Sequence, residues 1–219
     1  MKRLFSGICL AVLTVNLYAA DAGLEAVLAR MDKAAPNFHA MSAAVDMVEY
    51  QKILDDRSTD KGTLQMQRNA KNVRAVLTFP DRVIGFLGKF VRIYWPNLNT
   101  YQDYDIGKNA NVLNQFLLLG FGSSGKELAQ SYDIQLEGSE KVAGLDASKL
   151  LLIPKDPNVK ERLTKIEVWI PADGANPVQQ QFYEPSGNWR KVTYTDLKLN
   201  PPISGTLEMK LPSGAKKQG

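Results

Sequence analysis

The chain has 219 residues, of which 44 % are apolar, and it carries 27 Lys and Arg against 23 Asp and Glu, a net charge of +4. That length suits one sizeable domain, and because the two signs are interspersed along the chain there is no basic stripe of the kind nucleic acid requires. The lone cysteine, Cys9, excludes a disulfide framework, and the lone histidine, His39, has no cysteine partners for a zinc set and no serine suited to use it as a base.

In chain order, Lys2 and Arg3 precede an apolar run from Leu4 to Val15 and a patch of small residues at Ala19, Ala20 and Ala22. This is the order of a cleavable signal peptide, and a run of about a dozen residues falls short of the roughly twenty that span a bilayer. Cleavage is expected after Ala20, with Ala19 and Ala22 as alternatives, which divides the chain into a signal at 1–20 and one domain at 21–219. Removal would take away Cys9, Lys2 and Arg3, leaving 25 basic and 23 acidic residues, or +2.

Leu24, Val27, Leu28 and Met31 then recur at i, i+3, i+4 and i+7, the mark of an amphipathic helix, and Pro36 limits it. From Ala43 the period changes to two. Strands are expected at 43–54, 61–69, 72–79, 89–95, 99–105, 132–138, 146–153, 164–170, 177–184, 189–199 and 204–211. Turn chemistry separates them at Asp60-Lys61-Gly62, Ala172-Asp173-Gly174-Ala175 and Pro185-Ser186-Gly187-Asn188. About eleven consecutive strands without crossover helices imply an antiparallel sheet that curls.

The stretch Asn111–Gln130 interrupts this pattern. Val112, Leu113, Phe116, Leu117, Leu118, Leu119 and Phe121 make a greasy helix, followed by a Gly/Ser break and a second short helix. Such a helix is either ordinary core packed on the sheet or a mobile cover. The break, Gly120 to Glu127, nearly matches a phosphate-cradling loop, but Glu127 replaces the hydroxyl that would contact Mg²⁺, so it is read as a flexible connection. His39 reads as a partly packed turn residue, Asp103 and Asp105 as solvated carboxylates on one face of a strand, and the Lys216-Lys217 pair as a solvated tail.

Alternation places Leu64, Met66 and Arg68 on one face of a strand, and Val73, Ala75, Leu77 and Phe79 on one face of the next. Arg68 requires carbonyl or carboxylate partners if it points inward and is an ordinary solvated arginine if it points outward. Around Phe90 to Trp95 both faces carry large apolar groups, and the pattern leaves either row as the inner one.

Taken collinearly, several of these elements resemble the LolA-type periplasmic lipoprotein carriers. They are Met31-Asp32-Lys33 with Phe38-His39-Ala40, then Gly62-Thr63-Leu64-Gln65-Met66-Gln67-Arg68, Thr78-Phe79-Pro80-Asp81, Gly88-Lys89 leading to Tyr94-Trp95-Pro96, the apolar helical insertion, and Ser131-Tyr132-Asp133-Ile134. Asn69 stands where the family usually has proline. The resemblance implies a mainly β fold with some α, an incomplete antiparallel barrel of about eleven strands wrapped around and lidded by short helices. It implies that Arg68 latches the lid by bonding its backbone carbonyls.

On that reading Met31, Leu64, Met66, Val73, Leu77 and Phe79 line an acyl cavity, and Leu113, Phe116 and Leu117 belong to the lid. Neither cofactor, metal nor catalytic residue is expected, and the protein is expected to be a monomer that does not bind nucleic acid. The implied function is a periplasmic carrier moving lipoproteins by their acyl chains toward the outer membrane, between an inner-membrane release complex and an outer-membrane acceptor. The alternatives are a carrier of glycolipid or another envelope lipid, and a lipoprotein-sensing regulatory module. An enzyme ranks below these.

Overall fold

The computed structural model describes residues 12–69, 72–107 and 110–218. Lys2, Arg3, Cys9 and most of the apolar run of the expected signal segment lie outside them. Helix α1 (Val12–Ala34) takes in the end of that segment together with the amphipathic turns, and it stops where Pro36 opens a single 3-10 turn, Ala35–Asn37. The proline's missing N–H and its ring rule out another α-helical turn.

Among the described residues twelve strands follow: β1 (Ala40–Gln51), β2 (Asp56–Asn69), β3 (Asn72–Thr78), β4 (Val83–Phe86), β5 (Phe90–Trp95), β6 (Thr100–Asp105), β7 (Tyr132–Val142), β8 (Leu145–Pro154), β9 (Lys165–Pro171), β10 (Gln179–Tyr183), β11 (Trp189–Leu199) and β12 (Lys216–Lys217). Between β6 and β7 lie α2 (Ala110–Leu118) and α3 (Gly125–Ser131), and the single turn α4 (Pro157–Lys160) follows β8. All strands join one sheet in the order β12-β6-β5-β4-β3-β2-β1-β11-β10-β9-β8-β7. Every pairing is antiparallel except β12 on β6. The order has two ends that do not meet, so the barrel is incomplete.

The expected strand at 204–211 is not a strand. Leu207 and Met209 alternate as strand residues do, but they pack across the outer face of β3 to β5 on Val76, Leu87 and Tyr94. Side chains of the sheet hold this segment in place of a ladder. The Leu207 N–H donates to Gln67 Oε1 (2.7 Å), Gln67 Nε2 donates to the Gly205 carbonyl (2.9 Å), and Arg74 Nε donates to that of Leu207 (2.6 Å). β4 went unforeseen because four residues are too few to display an alternation.

The register settles which rows face inward. Met41 opposes Met66 and Ala43 opposes Leu64, while Met66 opposes Ala75 and Leu64 opposes Leu77. Inner side chains of β1, β2, β3 and β11 pack with Phe38, Phe79 and Phe121 into one closed cluster. A second cluster sits on the other half of the sheet, where Leu150, Leu152, Ile166, Val168 and Ile170 lie under Val27 and Met31 of α1 and Leu128 of α3.

Two expectations at the far edge are corrected. Asp103 is not solvated: Arg92, its direct cross-strand neighbour, donates to it twice (Nε 2.7 Å, Nη2 2.9 Å), and Lys217 Nζ lies 3.4 Å away. The two lysines near the C-terminus are not a free tail but β12, with Lys216 opposite Thr100 and Lys217 opposite Tyr101. Opposite charges across a ladder stabilise each other, a relation set by pairing and invisible along the chain.

Hydrogen bonds from Arg92 hold the Asp103 carboxyl below its ordinary value of 3.8. A carboxylate so depressed in the folded state contributes stability that is present above the ordinary value and is lost as pH falls through the folded one. Acidification below 3.8 is therefore expected to loosen β12. Hydrogen exchange checks this: the amides of Lys216 and Gln218, which donate to Asn99 and Tyr101, should lose protection in acid, and in Asp103→Asn already at neutral pH.

Candidate functional site

α2, the turn 119–124 and α3 cross the inner side of the sheet, with α2 over β3 and α3 against α1 and β7. The Gly/Ser stretch is a tightly held turn rather than a flexible connection. Ser124 caps α3: its Oγ accepts from the Glu127 N–H (3.1 Å), and Glu127 Oε2 accepts from the Ser124 N–H (2.8 Å). This reciprocal box is why a glutamate stands where a phosphate loop would need a hydroxyl. Gly122 has φ +80, and a Cβ there would come within 2.5 Å of the Phe38 ring and 3.1 Å of Arg68 Nη1. No side chain fits between the turn and what lies beneath it.

Beneath it lies Arg68. The inner row of β2 ends in this residue, whose Nη1 donates to the Gly122 carbonyl (2.7 Å) and Nη2 to the Ala35 carbonyl (2.8 Å). Its guanidinium also stands 5.6 Å from the centroid of the Phe38 ring. One planar fork thus joins the turn between α2 and α3 to the exit of α1, a geometry a point charge such as lysine would not reproduce.

A second attachment was not foreseen from the sequence. Gln180 is buried on β10; its Nε2 donates to the Leu119 carbonyl (2.7 Å) and its Oε1 accepts from the Tyr194 hydroxyl (2.6 Å). Burial pushes the Tyr194 phenol well above its usual range, so it stays a donor. Leu119 and Phe121 are each 1 % exposed and belong to different halves of the core, and Phe121 meets Tyr194 edge-on at 5.0 Å. Gln180→Leu would strand the Tyr194 hydroxyl and the Leu119 carbonyl; a cost of about 1–3 kcal/mol is expected. Denaturant unfolding checks it, and the double variant with Tyr194→Phe should recover part of the loss.

The apolar inner surface changes character from strand to strand. Leu64, Met66, Val73 and Phe79 are buried and form the packed floor, whereas Met31 packs in the other cluster, on the β8–β9 side. Leu77 opposes Ile84, which opposes Ile93, and Phe86 opposes Val91. These residues, with Trp95 on the same row, are only half-buried. So are Leu113, Phe116 and Leu117 of α2. A strip of incompletely covered apolar side chains therefore runs along β3 to β5 beside the helix. Phe90 and Tyr94 point the other way, with Tyr94 under the 203–211 segment, which resolves the two-faced pattern of β5.

Between α2 and α3 a cavity of about 400 Å³ reaches the Arg68 side chain and is also lined by Asn114, Leu118, Ser123, Glu127 and Tyr132. Its volume lies within the range of small-molecule sites. Among the described residues no grouping of His, Cys, Asp and Glu is arranged to hold a metal ion, and no helix is long and apolar enough to cross a membrane.

Residues 91–186 match the MucB/RseB N-terminal domain family. Solved structures of similar fold include an uncharacterized conserved protein from Thermus thermophilus, with TM-score 0.53 and 14 % identity over 89 % of this chain and 97 % of that one. Another is the lipoprotein LppX of Mycobacterium tuberculosis, with TM-score 0.50 and 17 % identity over 82 % and 98 %. What this chain shares with them is the fold, an open antiparallel sheet with short helices. The MucA/MucB complex of Pseudomonas aeruginosa also matches, with TM-score 0.46 and 19 % identity over 84 % of this chain and 59 % of that one. No curated protein sequence matches. At these identities the likeness concerns the architecture alone and leaves the chemistry to the residues themselves.

Proposed function

We propose that this chain is a non-enzymatic carrier that takes acyl chains onto the half-buried strip Leu77, Ile84, Phe86, Val91, Ile93 and Trp95, beneath a lid made by α2 and latched by Arg68. The observation that carries the reading is the contrast between this strip and the closed floor beside it. Each acyl CH₂ withdrawn from water is worth roughly 0.8 kcal/mol, so a multiply acylated molecule requires shielding in transit. Release then calls for a cover held by a few breakable polar bonds, and Arg68 offers two, both to main-chain carbonyls. The cargo proposed is the acylated end of lipoproteins, carried through the periplasm toward the outer membrane after export and cleavage near Ala20.

Mass spectrometry of material extracted from the protein purified gently from the periplasm tests this, followed by uptake of a fluorescent fatty acid by the delipidated protein. Co-purified acylated polypeptide is the expected result. A free phospholipid or glycolipid would keep the strip and change the cargo. An empty protein that also refuses the probe would overturn the reading.

The match of 91–186 to the MucB/RseB N-terminal domain supports a second reading, a lipid-responsive regulatory module. A module of that kind should bind one specific periplasmic protein in its loaded state and not in its empty state. A carrier should pass its probe to acceptor vesicles or proteins and return empty.

A further inference from the structure

The tip of the β1–β2 hairpin is built unlike the other turns of the sheet. Ile53 and Leu54 stand side by side there, 93 % and 68 % exposed. They are not a frayed end. The Lys52 N–H donates to Asn188 Oδ1 of the adjoining β10–β11 turn (2.9 Å), the Asp55 N–H donates to the Lys52 carbonyl (3.3 Å), and the Tyr50 hydroxyl donates to Asp55 Oδ1 (2.9 Å). Immediately below, the rings of Tyr50 and Trp189 stack at 5.5 Å, and the Arg57 guanidinium lies 5.5 and 5.6 Å from their centroids. The hairpin also projects. β2 pairs with β3 only from Thr63 onward and Asp60 is bridged by Arg82 of the β3–β4 turn, so residues 56–59 extend past β3 on that side, a reach of about 13 Å at strand spacing.

We infer that this tip is a membrane-docking wedge that seats Ile53 and Leu54 in the interfacial layer of a zwitterionic bilayer. Two aliphatic side chains are far too small for a protein interface, which covers roughly 800 Å² on each partner. A bilayer imposes no such minimum and accepts a few apolar side chains with an aromatic pair at headgroup level, where the amphipathic rings of Tyr and Trp are favoured. The charge around the tip selects the lipid. Residues 49–57 and 184–191 contain Lys52, Arg57, Arg190 and Lys191 against Glu49, Asp55, Asp56 and Glu184, which cancel, so an anionic surface gains no advantage. The inference stands whether or not the interior takes acyl chains.

The test uses the full chain with Cys9→Ser and Leu54→Cys, labelled at residue 54 with an environment-sensitive fluorophore and mixed with phosphatidylcholine/phosphatidylethanolamine vesicles. The label should shift to the blue and brighten, equally at low and high salt, while a label at Ser139→Cys on β7 should not respond. In co-sedimentation, Ile53→Ser with Leu54→Ser should bind the same vesicles ~10-fold less than the parent, in line with the apolar area removed. Three results would overturn the inference: a silent label at 54, equal sedimentation of parent and double variant, or binding that high salt abolishes. A label at 54 that responds to a periplasmic protein extract but not to vesicles would replace the bilayer with a protein partner.

Discussion

Replacing Arg68 by leucine is expected to speed the release of a bound fluorescent fatty acid by about ten- to a hundredfold. Its two hydrogen bonds from a charged donor are worth about 1.5–3 kcal/mol together once water is allowed to replace part of them at this half-buried site. At about 1.4 kcal/mol for each factor of ten, that is the stated range. The closed core beneath does not depend on the guanidinium, so the thermal transition should move far less than the release rate, and binding of a hydrophobic dye should rise as α2 lifts. Arg68→Lys should fall between the two, because an ammonium cannot span the Gly122 and Ala35 carbonyls in the same fork. Stopped-flow displacement measures the rate. An Arg68→Leu protein that releases probe at the parent rate would remove the latch from the proposal.

Ile93→Glu is expected to abolish acyl binding, by at least about thirtyfold, while costing little stability. Ile93 is half-buried, so a carboxylate there stays hydrated in the empty protein and repels apolar cargo only when cargo arrives. Met66→Ala makes the opposite contrast. Met66 is 1 % exposed in the packed floor, and its truncation should cost about 2–5 kcal/mol through lost contacts and a cavity, while the protein that remains folded keeps its affinity. Probe titration and denaturant unfolding of the two variants give a crossed pattern if the strip is the binding surface. Equal affinity in Ile93→Glu would move the site elsewhere.

Much of this architecture was legible in the residues because antiparallel pairing leaves local traces. The alternation Leu64-Met66-Arg68 and the turn residues of 172–175 and 185–188 placed the strands they belong to within a few positions. What escaped was information held between strands. Which row of β5 faces inward follows from Ile84 opposing Ile93, and the pairing of Asp103 with Arg92 follows from the next register, neither of which is written along one strand. Leu207 and Met209 misled because side-chain packing on a sheet imposes the same period as membership in one. At the site, the row ending in a charge left Arg68 either inward or solvated and only the resemblance pointed to a latch, whereas Gln180 looked like any glutamine of a strand and acquires its meaning only from the Leu119 carbonyl above it. The serine three residues before Glu127 was the available sign that the turn would be capped rather than loose.

The sheet also sets a timetable. Its first strand lies at the centre and is flanked by its eleventh, Met41 facing Leu199, and the outer apolar surface around Val76 and Tyr94 is covered by residues near 207, which reach Gln67 across 140 positions of sequence. Contacts so distant along the chain close late and slowly, since the entropy of a long loop is lost before any of them forms. A chain emerging N-terminus first would hold β2 to β5 with both apolar faces wet until nearly all of it had appeared. Its greatest exposure to aggregation, and its greatest need of a chaperone, would come before the protein first closes on itself.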